Sequence, residues 1–554
     1  MHGITRWLAG AVVVMGIGAL GHTRLAGEPP PKAITLTPLG VYTTGLFDQG
    51  AVEIAAYDPA TYRAFVTFAE APRIDIIDLS DPANPLKAGT IDLTPWGGAG
   101  AHATSVAVRD GILAVAVPQG EEDTAPGKVL FLDAFGVLLG EVGVGALPDM
   151  LTFTPNGAYV LTANEGQPSD DYTTDPEGGV SIIDVRDGVA GIGDDRVTTV
   201  SFSDYNDAPL DPSIRIFGPG ATVAEDLEPE YIAVSHDSRT AWVTLQENNA
   251  IATVDLATKR VTALRGLGFK NHNLPGQGLD GGTDDRAIAI RNWPVFGVFM
   301  PDAIATFRDK GQTYLVTANE GDAREYAGLG APKPSATDEE PVEIEDIALD
   351  AVAFPPAVAA ALKSRATGIG RLKVTSFDGD TDGDGDYDAL YSFGARSFSI
   401  WTESGDLVFD SGEALERITA AAFPANFNAS STNNTFDNRS DDKGPEPEGV
   451  TVASLFGRPY LFVALERIGG VLVYELTDPR APRFVQYINT RSFGAAPGTP
   501  AAGDLGPEAS RVVSAEWSPN GKPLLLVSNE VSGSLRVFEI APGEKIGKLD
   551  KIGK

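Results

Sequence analysis

The sequence predicts an all-β protein folded as a single β-propeller of seven blades. Three observations lead there. A unit of acid, strand, turn, strand and acid recurs along the 554 residues. The strands within it are short, alternating and rich in β-branched residues, the pattern of half-buried sheet. The chain also carries 62 Gly and 39 Pro, which implies many turns.

The repeat is plainest in "LPDMLTFTPNGAYVLTANEG" (147–166) and "MPDAIATFRDKGQTYLVTANEG" (300–321). It returns as "EPEYIAVSHDSRTAWVTLQEN" (228–248), "EPEGVTVASLFGRPYLFVALER" (446–467) and "GPEASRVVSAEWSPNGKPLLLVSNE" (506–530). Looser copies begin near residues 51 and 103. Units of this length, repeated, are the signature of propeller blades, because one unit alone cannot bury its apolar faces. The propeller is expected over residues 34–542, with 35–45 supplying the strand that closes the ring. The unit starting at residue 300 is interrupted by an insertion at 321–397, so its last two strands are expected at 398–403 and 406–412. An eight-bladed ring, should the insertion form its own sheet, or two stacked β domains are the alternatives. Residues 203–227 and 268–299 read as Gly/Pro/Asp-rich loops, "PPAVAAALKSR" as a short helix, and 423–445 as a solvated polar loop with three chance glycosylation sequons.

The N-terminus has an early Arg6 and an apolar run from Trp7 to Leu20, the form of a secretory signal. A signal peptide is expected over about residues 1–27, and residues 543–554 read as a polar tail. No Cys follows the apolar run, which excludes a lipoprotein anchor, and zero Cys excludes disulfides and thiolate chemistry. The expected location is secreted or periplasmic, with no membrane span in the mature chain. A net charge of −34, from 76 acidic and 42 basic residues, repels phosphate backbones and excludes nucleic-acid binding.

Two acidic constellations carry the candidate chemistry. "SFDGDTDGDGDYDALYSFG" (376–394) places Asp380, Asp382, Asp384, Asp386 and Asp388 in a loop suited to one Ca²⁺, with the residue-386 carbonyl as a further ligand. Alternate carboxylates converge while Gly385 permits the turn, and a hard cation wants six to eight oxygens. Tyr391 stands where a sensor hand would carry its bidentate Glu, so the loop reads as a structural clip. The second constellation is the repeated acid pair. First-strand acids are Glu53, Asp149, Glu230, Asp302, Glu448 and Glu508; second-strand acids are Glu70, Glu165, Glu247, Glu320, Glu466 and Glu530. First strands line a propeller's channel, so Asp149, Glu165, Glu230, Glu247, Asp302, Glu320, Glu448 and Glu466 form a candidate central site. Like charges gathered at an axis need cations, or partners such as Arg324, Arg396 or Arg467. Other chemistries fail on inventory: His102, His236 and His272 lack zinc-ligand spacing, and there is no GxSxG, HExxH or phosphate-binding glycine loop. His102, beside Thr104 and Ser105, remains a site candidate.

The phrase "GRLKVTSFDGDTDGDGDYDALYSFGARSFSIWTESGDLVFDSG" and the two "TANEG" units resemble the choice-of-anchor I family, from about residue 34 to 540. That family includes mesenchyme-specific cell-surface glycoproteins, and the resemblance implies an extracellular, calcium-associated propeller. Some relatives are described as atypical alkaline phosphatases, and "EPEGV" (446–450) is similar to a phrase of calcium-dependent phytases. Two functions follow as expectations. One is a monomeric calcium-binding propeller with surface, matrix or mineral partners; the other is a Ca²⁺-dependent phosphoesterase whose catalytic residues the sequence does not name.

Overall fold

The computed structural model describes residues 33–326, 328–330 and 339–543; the expected signal peptide and nearly all of the polar tail lie outside them. Seven four-stranded antiparallel sheets make up most of the unit Ile34–Pro542. Their first strands are Ala51–Asp58, Ser105–Arg109, Pro148–Phe153, Pro229–Val234, Ile304–Asp309, Pro447–Leu455 and Pro507–Val513. Each first strand touches the next, and the last returns to Ala51–Asp58, so the sheets surround one channel. The order within a sheet is sequential except in the last. There Ile34–Thr43 pairs with Ser534–Pro542 and joins the two ends of the ring.

The burial of each strand follows from its place. Second and third strands are packed on both faces, which is why they read as continuous apolar runs: Leu524–Asn529 is buried at every residue. Fourth strands are less buried than the second and third, and Leu86–Asp92 is mostly exposed. Every neighbouring pair of sheets shares a core. Val115 and Leu130 pack with Phe65 and Ile76, Leu461 and Val463 with Val316 and Phe398, and Trp242 and Ile251 with Leu315 and Trp401. Burying side chains of this size stabilises by about 1.5–3 kcal/mol each. These interfaces, repeated around the ring, hold the channel geometry.

The fifth sheet in this ring is the interrupted one. Its first two strands, Ile304–Asp309 and Gln312–Asn319, are completed by Ser397–Thr402 and Leu407–Asp410. The insertion between them does make a sheet of its own, but not alone. Pro341–Glu343, Lys373–Thr375 and Tyr391–Ser392 join Phe269–Asn271 and Phe296–Val298 in a five-stranded mixed sheet. Residues 268–299 are therefore not simply a loop; strands of three residues leave no periodic trace to read. This sheet contributes no strand to the ring of first strands, and it has a separate core around Leu279, Ile344, Leu372 and Tyr387. The short helix is Pro356–Leu362.

The segment 423–445 is also corrected. It is packed rather than solvated: Asn428 is fully buried, and Arg491 donates to the carbonyls of Ser430 and Asn433 at 2.8 and 2.7 Å. No described helix is long and apolar enough to cross a membrane.

Candidate metal site at the channel mouth

A shared local geometry delivers the repeated acids to one place. In four repeats the residue before the Pro-acid pair has left-handed backbone: Leu147 (φ 40°), Met300 (φ 41°), Glu446 (φ 49°) and Gly506 (φ 64°). For a residue with a side chain this costs on the order of 1–3 kcal/mol, and it persists only where surroundings over-determine it. The backbone carbonyls of Leu147, Glu446 and Gly506 then accept the N–H groups of Glu165, Glu466 and Glu530 at 2.8, 2.9 and 2.8 Å. Each such turn therefore ties a first-strand acid to a second-strand acid. Just past the turn the pairing register shifts in five first strands, at Ala51/Ala55, Pro148/Met150, Pro229/Ile232, Pro447/Val450 and Pro507/Ser510. A bulge re-aims the side chain it carries, and here that side chain is the acid.

The repeated "TAN" before the second acid has its own task. Asn164 accepts from Thr162 Oγ1 at 2.8 Å and donates to Ser181 at 3.0 Å; Asn319 accepts from Thr317 at 2.8 Å and donates to Ser397 and Ser399 at 3.1 and 2.8 Å. The buried amide fixes the end of the second strand against the third, and so fixes Glu165 and Glu320.

Seven glutamates, Glu165, Glu230, Glu247, Glu320, Glu448, Glu466 and Glu508, line one cavity of about 320 Å³ together with Asp322. Asp149 brings a carboxylate oxygen within 4.8 Å of oxygens on Glu165 and Glu230, and Glu320, Glu446 and Glu466 converge as closely. Asp302 is not among the lining residues, but its charge raises the proton affinity of Glu230 and Glu448. Glu70 is exposed and stands outside the cavity lining. His102 lies 3.3 Å from Asp123, and His272 is buried with Nδ1 2.6 Å from the Gln277 carbonyl; neither lines the cavity.

Burial, followed by mutual repulsion, pushes the mouth carboxyls up. Glu165 and Glu230 are raised well above the ordinary carboxyl range, as are Glu247, Glu448, Glu466 and Glu508. Burial takes Asp149 to about 7 and, with help from Asp149 and Glu530, takes Glu53 to about 8. Glu446 is the exception. Burial would raise it, but Lys443, Arg439 and Arg467 outweigh burial and hold it well below the usual range. Several carboxylate oxygens are buried with no hydrogen-bond partner: Oε2 of Glu53, Glu228, Glu247 and Glu448. An orphaned buried acceptor is costly, and a hard cation satisfies several at once. The donor set fits calcium, which takes oxygen ligands in irregular number.

The aspartate loop forms two groups of converging oxygens: Asp380, Asp382 and Asp388, and Asp386 and Asp388 with Asp350. Asp384 joins neither; its Oδ1 accepts the Asp386 N–H at 3.1 Å. Asp380 accepts the N–H groups of Gly383 and Gly385 at 2.8 and 3.0 Å, which curls the loop around it. Tyr391 packs between Phe269 and Phe296, with ring centroids 4.7 and 5.5 Å away.

A family model described as the choice-of-anchor I domain matches residues 53–479. The chain belongs to the choice-of-anchor I family. Among its relatives, Gigasin-3a of Magallana gigas is 31% identical over 184 residues, 31% of this chain and 64% of the relative. The mesenchyme-specific cell surface glycoprotein of Strongylocentrotus purpuratus is 30% identical over 278 residues, 46% of this chain and 35% of that protein. The matched stretch thus spans less than two thirds of either relative. Of solved structures, the WD40 domain of Toxoplasma gondii coronin matches with a TM-score of 0.43 at 10% identity, covering 93% of this chain and 90% of that one.

In this choice-of-anchor I chain the basic partners of the mouth are only partly those the sequence suggests. Arg467 pairs with Glu446 and Glu466 at 2.8 and 2.7 Å. Arg324 is committed to Asp226 and Glu228 at 2.6 and 2.9 Å. Arg396 is spent on Glu416 at 2.7 Å. The residues sequence reasoning missed are Lys443, which is paired with Glu320, Asp322 and Glu446, and Arg439, which holds Glu446. Both sit in the 423–445 segment, outside the repeat, where no pattern marks them. Arg215, also missed, joins the insertion to the mouth: it pairs with Glu340 and Asp378 and donates to the Glu247 carbonyl at 3.0 Å.

Proposed function

We propose that this protein is an exported, surface- or matrix-associated binding module whose channel mouth holds calcium. The observation that carries the reading is the glutamate-lined cavity with buried, unpartnered carboxylate oxygens at Glu247 and Glu448. Membership of a family that includes a cell surface glycoprotein supports an extracellular or surface-associated setting. The strongly acidic composition supports commerce with cations rather than polyanions. The aspartate loop, flanked by two strands of the five-stranded sheet and absent from the cavity lining, is read as a second, structural calcium clip.

A calcium-dependent phosphoesterase is the second reading. A metal cluster could polarise a phosphoryl group and activate water, and Arg467, 28% exposed at its side chain, reaches the same cavity. Yet that guanidinium is already engaged by two glutamates, and the described lining contains no Ser, Thr or His. The binding reading is the better supported. Purified full-length chain, assayed with p-nitrophenyl phosphate and phytate with and without Ca²⁺, separates the two. Calcium uptake without phosphate release is expected; metal-dependent turnover lost in Glu448→Gln would reverse the choice.

A further inference from the structure

The mouth contains two groups of carboxylates that converge equally well, but they are not equivalent in charge. Glu320, Glu446 and Glu466 bring oxygens within 4.8 Å of one another, as do Asp149, Glu165 and Glu230. In the first group the chain supplies the counter-charge. Arg439 donates to Glu446 through Nε and Nη2 at 2.8 and 2.6 Å, and Arg467 donates to it through Nε at 2.8 Å. Lys443 lies 3.4 Å from Glu446 and pairs with Glu320, which also accepts from Gln246 at 2.6 Å. Arg467 completes the set with Glu466 at 2.7 Å. Each of the three carboxylates thus has a cation, although Lys443 and Arg439 are shared with Asp322 and Asp442 at 2.9 and 3.0 Å.

The second group has no such service. Among the described residues Asp149, Glu165 and Glu230 have no ion pair. Arg324, which lines the same cavity, is buried and committed to Asp226 and Glu228. Glu247 supplies the independent sign of a missing ligand. Its side chain lines the same cavity, the residue is only 8% exposed, and its Oε2 has no partner.

We infer that the mouth holds its cation on one side only, as a hard divalent ion of calcium's class bound by Asp149, Glu165, Glu230 and Glu247. The Glu320, Glu446 and Glu466 side is closed to metal by Lys443, Arg439 and Arg467. This rests on the cation-binding reading above and deepens it by locating the ion and naming its ligands. Four carboxylates offer up to eight oxygens, within calcium's preferred six to eight, whereas Mg²⁺ demands a near-ideal octahedron and keeps water. Two of the four ligands, Asp149 and Glu165, are joined through the Leu147 turn, so one strained backbone unit presents a pair.

The test is calcium titration of the full chain by calorimetry, with stoichiometry by equilibrium dialysis, comparing wild type with Glu230→Gln, Glu247→Gln and Glu466→Gln. Each substitution removes charge while keeping shape, and circular dichroism checks folding. Glu230→Gln and Glu247→Gln should each weaken one calcium at least about 10-fold, with Glu466→Gln within about 2-fold of wild type. Equal weakening by Glu466→Gln, or no weakening by either of the other two, overturns the assignment while leaving a cation-binding mouth intact. To separate the loop, the titration is repeated with Asp380→Ala/Asp382→Ala. Loss of all calcium binding in that variant, if it remains folded, sinks the cation-binding reading itself and the inference with it. Dialysis of the loop-intact chain gives the same answer should the variant not fold: wild type is expected to bind two or more calcium ions and Glu230→Gln and Glu247→Gln one fewer, whereas a single ion in wild type, bound unchanged by both variants, refutes the mouth site.

Discussion

The backbone carbonyl of Leu147 accepts the N–H of Glu165 at 2.8 Å. Leu147 holds left-handed backbone to do so, and Asp149 follows two residues later. Two carboxylates of the mouth are thereby fixed by one hydrogen bond and one strained residue. The same device recurs at Glu446 with Glu466 and, relieved by glycine, at Gly506 with Glu530. Strain of this kind is found at functional sites, and in this chain Leu147, Met300 and Glu446 carry it immediately before a Pro-acid pair.

The first prediction concerns pH. Buried Asp149 and Glu53 are raised to about 7 and about 8 from ordinary values of 3.8 and 4.5. Between those limits the folded, calcium-free chain binds more protons than the unfolded chain, so its stability falls as pH rises. Melting temperature without calcium should therefore drop from pH 5 to pH 8. Calcium competes with those protons, so its stabilising increment should grow over the same range, with measurable proton release on binding. A calcium increment that shrinks with rising pH would contradict this.

Lys443 is buried between Glu320 and Glu446. Removing one partner of a buried ion pair costs about 3–5 kcal/mol because the other charge is stranded. Lys443→Met should destabilise by that order in chemical denaturation at pH 8. Part of the loss should return at pH 5, because burial raises the proton affinity of Glu320. Equal losses at both pH values would show that the lysine acts through packing alone.

Within the aspartate loop, Asp388 belongs to both groups of converging oxygens and Asp384 to neither. Asp388→Ala should abolish the calcium-dependent protection of residues 376–392 in hydrogen exchange. Asp384→Ala should leave most of it. The reverse order would mean that the ion sits differently in the loop.

Gly321 and Gly394 meet back to back beside Glu320. A Cβ on Gly394 would lie 2.1 Å from the Glu320 carbonyl oxygen, and one on Gly321 would lie 2.0 Å from the Gly394 nitrogen, both at positive φ. Gly394→Ala should cost at least about 2 kcal/mol and lower calcium affinity by shifting the end of the second strand. Unchanged stability would show that the insertion's return is slack.

How much of this was legible follows from what repeats. The first and second strands and their acids stand in register in the sequence because each sheet needs the same burial pattern, so Asp149 and Glu165 are visible as Pro-acid and "TANEG". The displaced strands at 397–402 and 407–410 were readable for the same reason. What does not repeat was not readable. Lys443, Arg439 and Arg215 come from irregular segments, so their convergence on Glu446, Glu320 and the Glu247 carbonyl has no local signature. Asp350 lies far ahead of the aspartates it joins, and the bulges that aim the acids depend on pairing rather than on residue type. The three-residue strands of the insertion's sheet are too short to show alternation.

The most direct test is a crystal of the full chain grown with calcium at pH 8 and measured for anomalous scattering. A peak is expected at the mouth, with oxygens of Asp149, Glu165, Glu230 and Glu247 at about 2.3–2.6 Å and none between Glu320, Glu446 and Glu466. A mouth holding only water, with its carboxyl groups hydrogen-bonded to one another at saturating calcium, would contradict it.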